Sequence, residues 1–171
     1  STLFVTLGGK VVDEENEEIV IGAIQALTGE TAHFGEISRE GIDLAVEEIN
    51  EKGGINGKEI RIVYEDDGCN AEESVNAVMK LININKVKLL LGPTCSPGAL
   101  AIAPITEKGK IIVFTSGAGT PKLGDAGEYI FRNRVGGEAY GIAMAEFAYN
   151  RLNAKKASIL WMNAENGIGY R

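Results

Sequence analysis

The chain has 171 residues, the length of one ordinary domain or of one domain and part of a second. Hydrophobic residues make up 44% and charged residues 24%. That is a globular balance which excludes disorder, and no apolar run nears the roughly 20 residues of a spanning helix. Twenty-four acids against 17 bases give a net charge of −7 with no basic cluster, which argues against nucleic acid and anionic membrane surfaces as partners.

Residues 1–18 carry two readings. Leu3-Phe4-Val5-Thr6-Leu7 is the tail of a signal-peptide apolar core, or residues 3–6 and 10–12 form a small hairpin around Gly8-Gly9. Ile19-Val20-Ile21-Gly22-Ala23-Ile24 then reads as a buried strand, ended by Leu27-Thr28-Gly29-Glu30. Over 35–51 the period changes, and Ile37, Gly41, Leu44, Ala45 and Ile49 fall on one helical face. Gly53-Gly54 stops that helix, Asn56-Gly57 turns, and 59–64 forms a second strand. Asn70 followed by Glu73 is a capping-box arrangement for a helix carrying Val75, Val78, Met79 and Ile82. A third strand spans 87–91, a helix 97–106, a fourth strand 111–115 and a loop of small residues 116–127. A short extended piece at 129–132, a helix marked by Tyr140, Ala143, Met144 and Phe147, and a strand at 157–162 complete the series. Strict alternation with short connections predicts an α/β fold with a doubly wound parallel sheet.

In such sheets a ligand lies outside the carboxyl ends of the strands, where the strand order reverses. Ser96-Pro97-Gly98 leads from the third strand into a helix, so Ser96 reads as an N-cap and Pro97 as the first helical residue. Free amides, the dipole of that helix and the serine hydroxyl together suit a carboxylate or phosphate. The plainer alternative is that Ser96 caps its own helix. Ser116-Gly117-Ala118-Gly119-Thr120 lies on the same rim. Its small residues contribute little to a core and let backbone amides approach a ligand, so the pair of loops favours a small carboxylate. Phe34 is either a plug beneath its connection or a wall for an apolar ligand moiety, while His33 is a solvated loop residue.

Other chemistry fits poorly. Thr94 stands where a nucleophile elbow has its first glycine, and no histidine follows Ser96 to act as its base. Phosphate-loop and dinucleotide patterns are missing, so neither catalysis nor a cofactor is expected. Glu65-Asp66-Asp67 read as turn and solvation residues rather than a Mg²⁺ site, and no metal is expected. Cys69 and Cys95 are two free thiols in a reducing compartment or one bridge in an oxidising one.

With these residues placed, the sequence from 19 to 171 resembles the amino-terminal half of the leucine/isoleucine/valine-binding proteins, which have the type I periplasmic binding fold. The most specific stretch is Ala45-Val46-Glu47-Glu48-Ile49-Asn50-Glu51-Lys52-Gly53-Gly54-Ile55-Asn56-Gly57, joined by Tyr64-Glu65-Asp66-Asp67-Gly68-Cys69 and Gly92-Pro93-Thr94-Cys95-Ser96. The resemblance implies a ligand-binding lobe over 19–134, the start of an incomplete second lobe over 135–171, and a Cys69–Cys95 disulfide. It implies that Ser96 binds a ligand carboxylate, that Phe34 faces the ligand side chain, and that Gly117, Ala118 and Gly119 give backbone contacts. Gly119 stands where a threonine is typical, with Thr120 as its substitute, and Asn166 stands where the second lobe has a tyrosine. The implied function is an extracytoplasmic solute-binding protein for amino acids or similar small carboxylates and amides, partnered by a membrane permease complex of an ABC transporter. A sensor or receptor domain of the same fold is the alternative. The resemblance places the acid that neutralises a ligand ammonium after residue 171, so these residues alone are expected to bind weakly or not at all.

Overall fold

The computed structural model describes residues 18–161, 163 and 167. Asn166, residues 1–17 and their hairpin or signal segment lie outside the described residues. Five strands form one sheet in the order β2-β1-β3-β4-β5, and every pairing is parallel. They are β1 (Ile19–Gln25), β2 (Ile60–Asp66), β3 (Leu89–Leu91), β4 (Ile112–Thr115) and β5 (Ile130–Arg132). The helices between them are α1 (Ala32–Glu51), α2 (Ala71–Asn83) and α3 (Ser96–Gly109), and α4 (Gly137–Asn150) leaves the sheet after β5. The order reverses between β1 and β3, so the connections after those two strands open on either side of a crevice. The doubly wound parallel sheet read from the sequence is the one observed.

One face of the sheet holds the main core. Ile24, Val78, Leu81, Leu90, Ile102 and Val113 are buried there beneath α2 and α3. On the other face α1 covers β1 and β2. Beyond its reach, Ile112, Phe114 and Phe131 alternate outward from the core positions and are roughly half exposed.

The face α1 turns inward is not the expected one. Ile37 and Leu44 are more than half exposed and Gly41 and Ala45 are exposed, while Gly35 is buried and Ile42, Val46 and Ile49 are partly covered. Two apolar stripes run along this helix, and spacing alone cannot choose between them. Tertiary contacts do. A Cβ at Gly35 would overlap the carbonyl oxygen of Ala26, so this turn sits directly on the end of β1. At the other end the Asn50 amide accepts from Ile60 N (2.8 Å) and donates to Ile60 O (2.9 Å), locking the helix to β2. The Tyr64 hydroxyl, donating to Asp43 (2.7 Å), fixes the middle. The helix also starts three residues earlier than predicted, so His33 and Phe34 belong to its first turn.

In α2 the inward positions are Ser74, Ala77, Val78 and Leu81, and Met79 is nearly half exposed rather than core. Asn70 caps the helix by accepting from Glu72 N and Glu73 N. The reciprocal half of the capping box is replaced, because Asn70 N donates to Asp67 O (2.7 Å). The loop expected over 116–127 contains one turn of 3₁₀ helix, Pro121–Asp125, with Leu123 buried. No strand forms over 157–161, and Met162 lies outside the described residues. A strand needs a neighbour to accept its ladder bonds, and Leu160 is fully exposed.

The acidic end of β2 fastens two connections together. Asp66 Oδ1 accepts from Leu27 N (2.8 Å), Thr28 N (3.3 Å) and Gly68 N (2.9 Å), joining the loop after β1 to the loop after β2. Asp67 is buried, accepting from Cys69 N (3.0 Å) and the Ser74 hydroxyl (2.7 Å), and Glu65 pairs with Lys80. These acids therefore organise turns, as expected, but Asp67 does so buried rather than solvated. Cys69 and Cys95 form a disulfide across the same region, with Cα atoms 5.3 Å apart.

Desolvation is the largest single influence on the Asp66 carboxyl and pushes its pKa up. The Thr28 side chain and the three amides together outweigh it and hold the carboxyl below its ordinary value of 3.8. A depressed folded pKa contributes stability that is present above the unfolded value and is lost as pH falls through the folded one. The stability advantage of the wild type over Asp66→Asn should therefore be full near neutrality and vanish on acidification. Urea midpoints of both proteins from about pH 6 to pH 2 would show it, and a constant difference would contradict the clasp. In the core, Leu81→Ala should cost about 2–5 kcal/mol, measured by the same urea unfolding.

Candidate functional site

The connections after β1, β3 and β4 meet at the carboxyl end of the sheet. Their footing is a buried polar pair. Gln25, the last residue of β1, donates from Nε2 to Leu91 O (3.2 Å) and accepts at Oε1 from the Thr94 hydroxyl (2.7 Å). Both residues are buried, so the ends of β1 and β3 are held in fixed register at the switch point.

Ser96 does not cap α3. Cys95 is the N-cap and Ser96 the first helical residue, followed by Pro97, and Ser96 is 4% exposed. Its Oγ turns instead toward the loop after β4, accepting from Gly119 N (3.2 Å) and Thr120 N (3.3 Å). A hydroxyl that accepts two amide hydrogens has its own proton left to donate. The disulfide enters at the adjacent residue, so the start of α3 is covalently tied to the loop after β2.

The loop after β4 has a different character from the expected one. Ala118 is fully buried and packs with Ala99 and Leu123, so it is a core residue. Its amide donates to Thr115 Oγ1 (3.3 Å), and that hydroxyl donates to Pro93 O (2.7 Å). Gly117 is required by close packing within the protein, since a Cβ there would overlap the Thr94 carbonyl. The amides of Gly119 and Thr120 are spent on Ser96. Ser96 Oγ, used as an acceptor by this loop, keeps its own proton as a donor, with the first-turn amides of α3 beside it.

The structure therefore brings together Ser96, Gly117, Ala118, Gly119 and Thr120. Phe34 lies at the start of α1 on the same end of the sheet, 64% exposed with its ring beside that of His33. It is not a plug beneath the connection. His33 is exposed as well, on a helix rather than in a loop. Reading the sequence missed Gln25, Thr94 and Thr115, whose side chains look like ordinary strand ends until the register places them face to face. It also missed Arg132 and Arg134. Arg132 Nη1 donates to Thr120 O (2.7 Å) and Arg134 Nη1 to Gly117 O (2.8 Å). The one available signal was two arginines two residues apart leaving β5, directly after the small-residue loop.

Among the described residues, no three or more His, Cys, Asp or Glu side chains group as a metal site would require. No described helix is long and apolar enough to cross a membrane.

Comparison with known proteins agrees with this geometry. The family model for periplasmic binding proteins matches residues 18–168. An amino acid binding protein of Pseudomonas aeruginosa is 31% identical over 144 residues, covering 84% of this chain and 38% of its own length. The substrate-binding protein LivJ of the Streptococcus pneumoniae branched-chain amino acid transporter was solved with isoleucine. It superposes with a TM-score of 0.76 at 28% identity, over 81% of this chain and 40% of its own. An ABC transporter solute-binding protein of R. palustris, solved with 4-hydroxybenzoate, gives 0.81 at 26% identity over 90% and 41%. The chain thus spans about two fifths of the length of the relatives it matches. On the match across nearly its whole length and on the shared parallel sheet, the chain belongs to the periplasmic binding protein family, as an amino-terminal portion of the leucine/isoleucine/valine-binding type.

Proposed function

We propose that this chain supplies the carboxylate-anchoring lobe of an extracytoplasmic solute-binding protein that serves an ABC transporter. The ligand class is branched-chain amino acids or similar small carboxylates and amides, held in a cleft between two lobes. The observation that carries the reading is the Ser96 hydroxyl, whose two acceptor positions are filled by Gly119 N and Thr120 N. Its remaining proton is a directed donor, and hydrogen bonds to a charged acceptor are about twice as strong as neutral ones. Phe34 stands exposed on the same end of the sheet as an apolar wall for the ligand side chain. The relatives solved with isoleucine and with 4-hydroxybenzoate share a carboxylate and differ in the apolar part, which fits a fixed anchor and a variable wall.

Lobe one occupies 19–134 in this reading, residues 1–18 precede it, and the second lobe begins at 135. Support comes from α4, where only Gly137 is buried while Ile142, Met144, Phe147 and Tyr149 are exposed around the helix. The disulfide supports an oxidising compartment. Closure of two lobes over a ligand would present the shape that a permease reads. No catalytic role is assigned to Ser96.

The test is an NMR titration of the chain with L-isoleucine and, separately, with 4-hydroxybenzoate. The Gly119 and Thr120 amide signals should shift with at least one of them, and Ser96→Ala should weaken that binding about tenfold or more. Saturable binding that leaves those signals still, or that survives Ser96→Ala unchanged, would overturn the reading.

A further inference from the structure

The two arginines after β5 stand behind the Ser96 loop, and neither lies within the segment the resemblance singles out. Arg132 is 21% exposed in its side chain and donates from Nη1 to Thr120 O at 2.7 Å, while its Nη2 lies 3.6 Å from Glu138 Oε1. Arg134 donates from Nη1 to Gly117 O at 2.8 Å. Between them, Gly119 O accepts from Gly137 N at 3.2 Å. Three of the four carbonyls from 117 to 120 are therefore held from one side by the segment that runs from β5 into α4. The amides of Ala118, Gly119 and Thr120 are held from the other, by Thr115 and Ser96.

The bonds run through shared peptide groups. Gly137 N–H meets the Gly119 carbonyl, whose peptide partner, Thr120 N–H, meets Ser96 Oγ. Arg134 meets the Gly117 carbonyl, whose partner, Ala118 N–H, meets Thr115 Oγ1, which in turn donates to Pro93 O. In such chains each bond polarises the next and strengthens it. A loop with two glycines would otherwise have backbone freedom to turn its amides away from Ser96.

We infer that Arg132 and Arg134 are positioning residues of the ligand site: they pin the carbonyls of Thr120 and Gly117 so that the Gly119 and Thr120 amides stay aimed at Ser96, and they tie that loop to the start of α4. The inference rests on the reading of Ser96 as the ligand anchor. Guanidinium suits the task better than ammonium, because its planar fork serves the Thr120 carbonyl and the Glu138 carboxylate from two nitrogens at once. The same contacts mean that a shift of α4 is felt at Gly119 through Gly137, so the loop and the exit from the sheet move together.

Amide hydrogen exchange on the unliganded chain tests this without depending on any ligand. In Arg132→Ala, exchange at Gly119 and Thr120 should accelerate about tenfold or more relative to wild type. Exchange at Leu90 and Val113, in the sheet core, should stay unchanged. Arg134→Ala should do the same at Ala118, and Arg132→Lys should restore protection only in part. Unchanged exchange at the loop in both alanine variants would overturn the proposal. So would acceleration by one common factor at the loop and the core, since that reports global stability alone. A parallel L-isoleucine titration of the wild type separates the two claims. Loop-specific exchange together with saturable binding that leaves the Gly119 and Thr120 signals still retains the positioning role and loses the binding one, whereas binding that shifts those signals with unchanged loop exchange in both alanine variants does the reverse.

Discussion

Two hydrogen bonds into one serine oxygen hold the candidate site together. Gly119 and Thr120 come from the connection after β4 and Ser96 from the start of α3, so the contact spans neighbouring strand ends. It forms because the parallel register sets β3 beside β4, Leu91 against Phe114, and both connections leave at the same level. Everything behind it keeps that level constant. Gln25 and Thr94 fix the end of β1 to β3, Thr115 fixes β4 to Pro93, and the disulfide fixes Cys95 to the loop after β2. Each group is an ordinary polar residue at a strand end, and the geometry arises from their convergence.

Much of this arrangement was legible in the sequence, for identifiable reasons. Alternating periods gave the element order, and glycine pairs and small polar residues marked where elements stop. The parallel rule then placed residues 34, 96 and 117–120 on one end of the sheet. What failed was orientation about an element's own axis. The stripe Ile37, Gly41, Leu44 faces outward because Gly35 and Asn50 rotate α1 by contacts with β1 and β2, and no periodicity contains those contacts. Met79 in α2 failed for the same reason.

The site residues show a second limit. Ser96 followed by proline carries every local mark of a cap, and local marks describe local bonds. The oxygen found better partners 23 and 24 residues downstream, and the capping position passed to Cys95. Ala118, between two glycines, likewise reads as a backbone contact that contributes little to a core, while α3 and the turn containing Leu123 close over its methyl group. Arg132 and Arg134 leave only a faint signal because their targets are carbonyls, which every residue has.

The partners of Ser96 are peptide nitrogens, and this has an evolutionary consequence. A codon change at 119 or 120 keeps a peptide N–H as donor, with proline the sole replacement that deletes it, while at 120, where the side chain is fully buried, a residue of similar size also keeps the donor in place. The donors themselves are thus insulated from loss by most genetic drift at those two positions. The ring at position 34, which projects into open space, is free to vary. A lineage built on this scaffold can exchange what surrounds the anchor while inheriting the anchor intact.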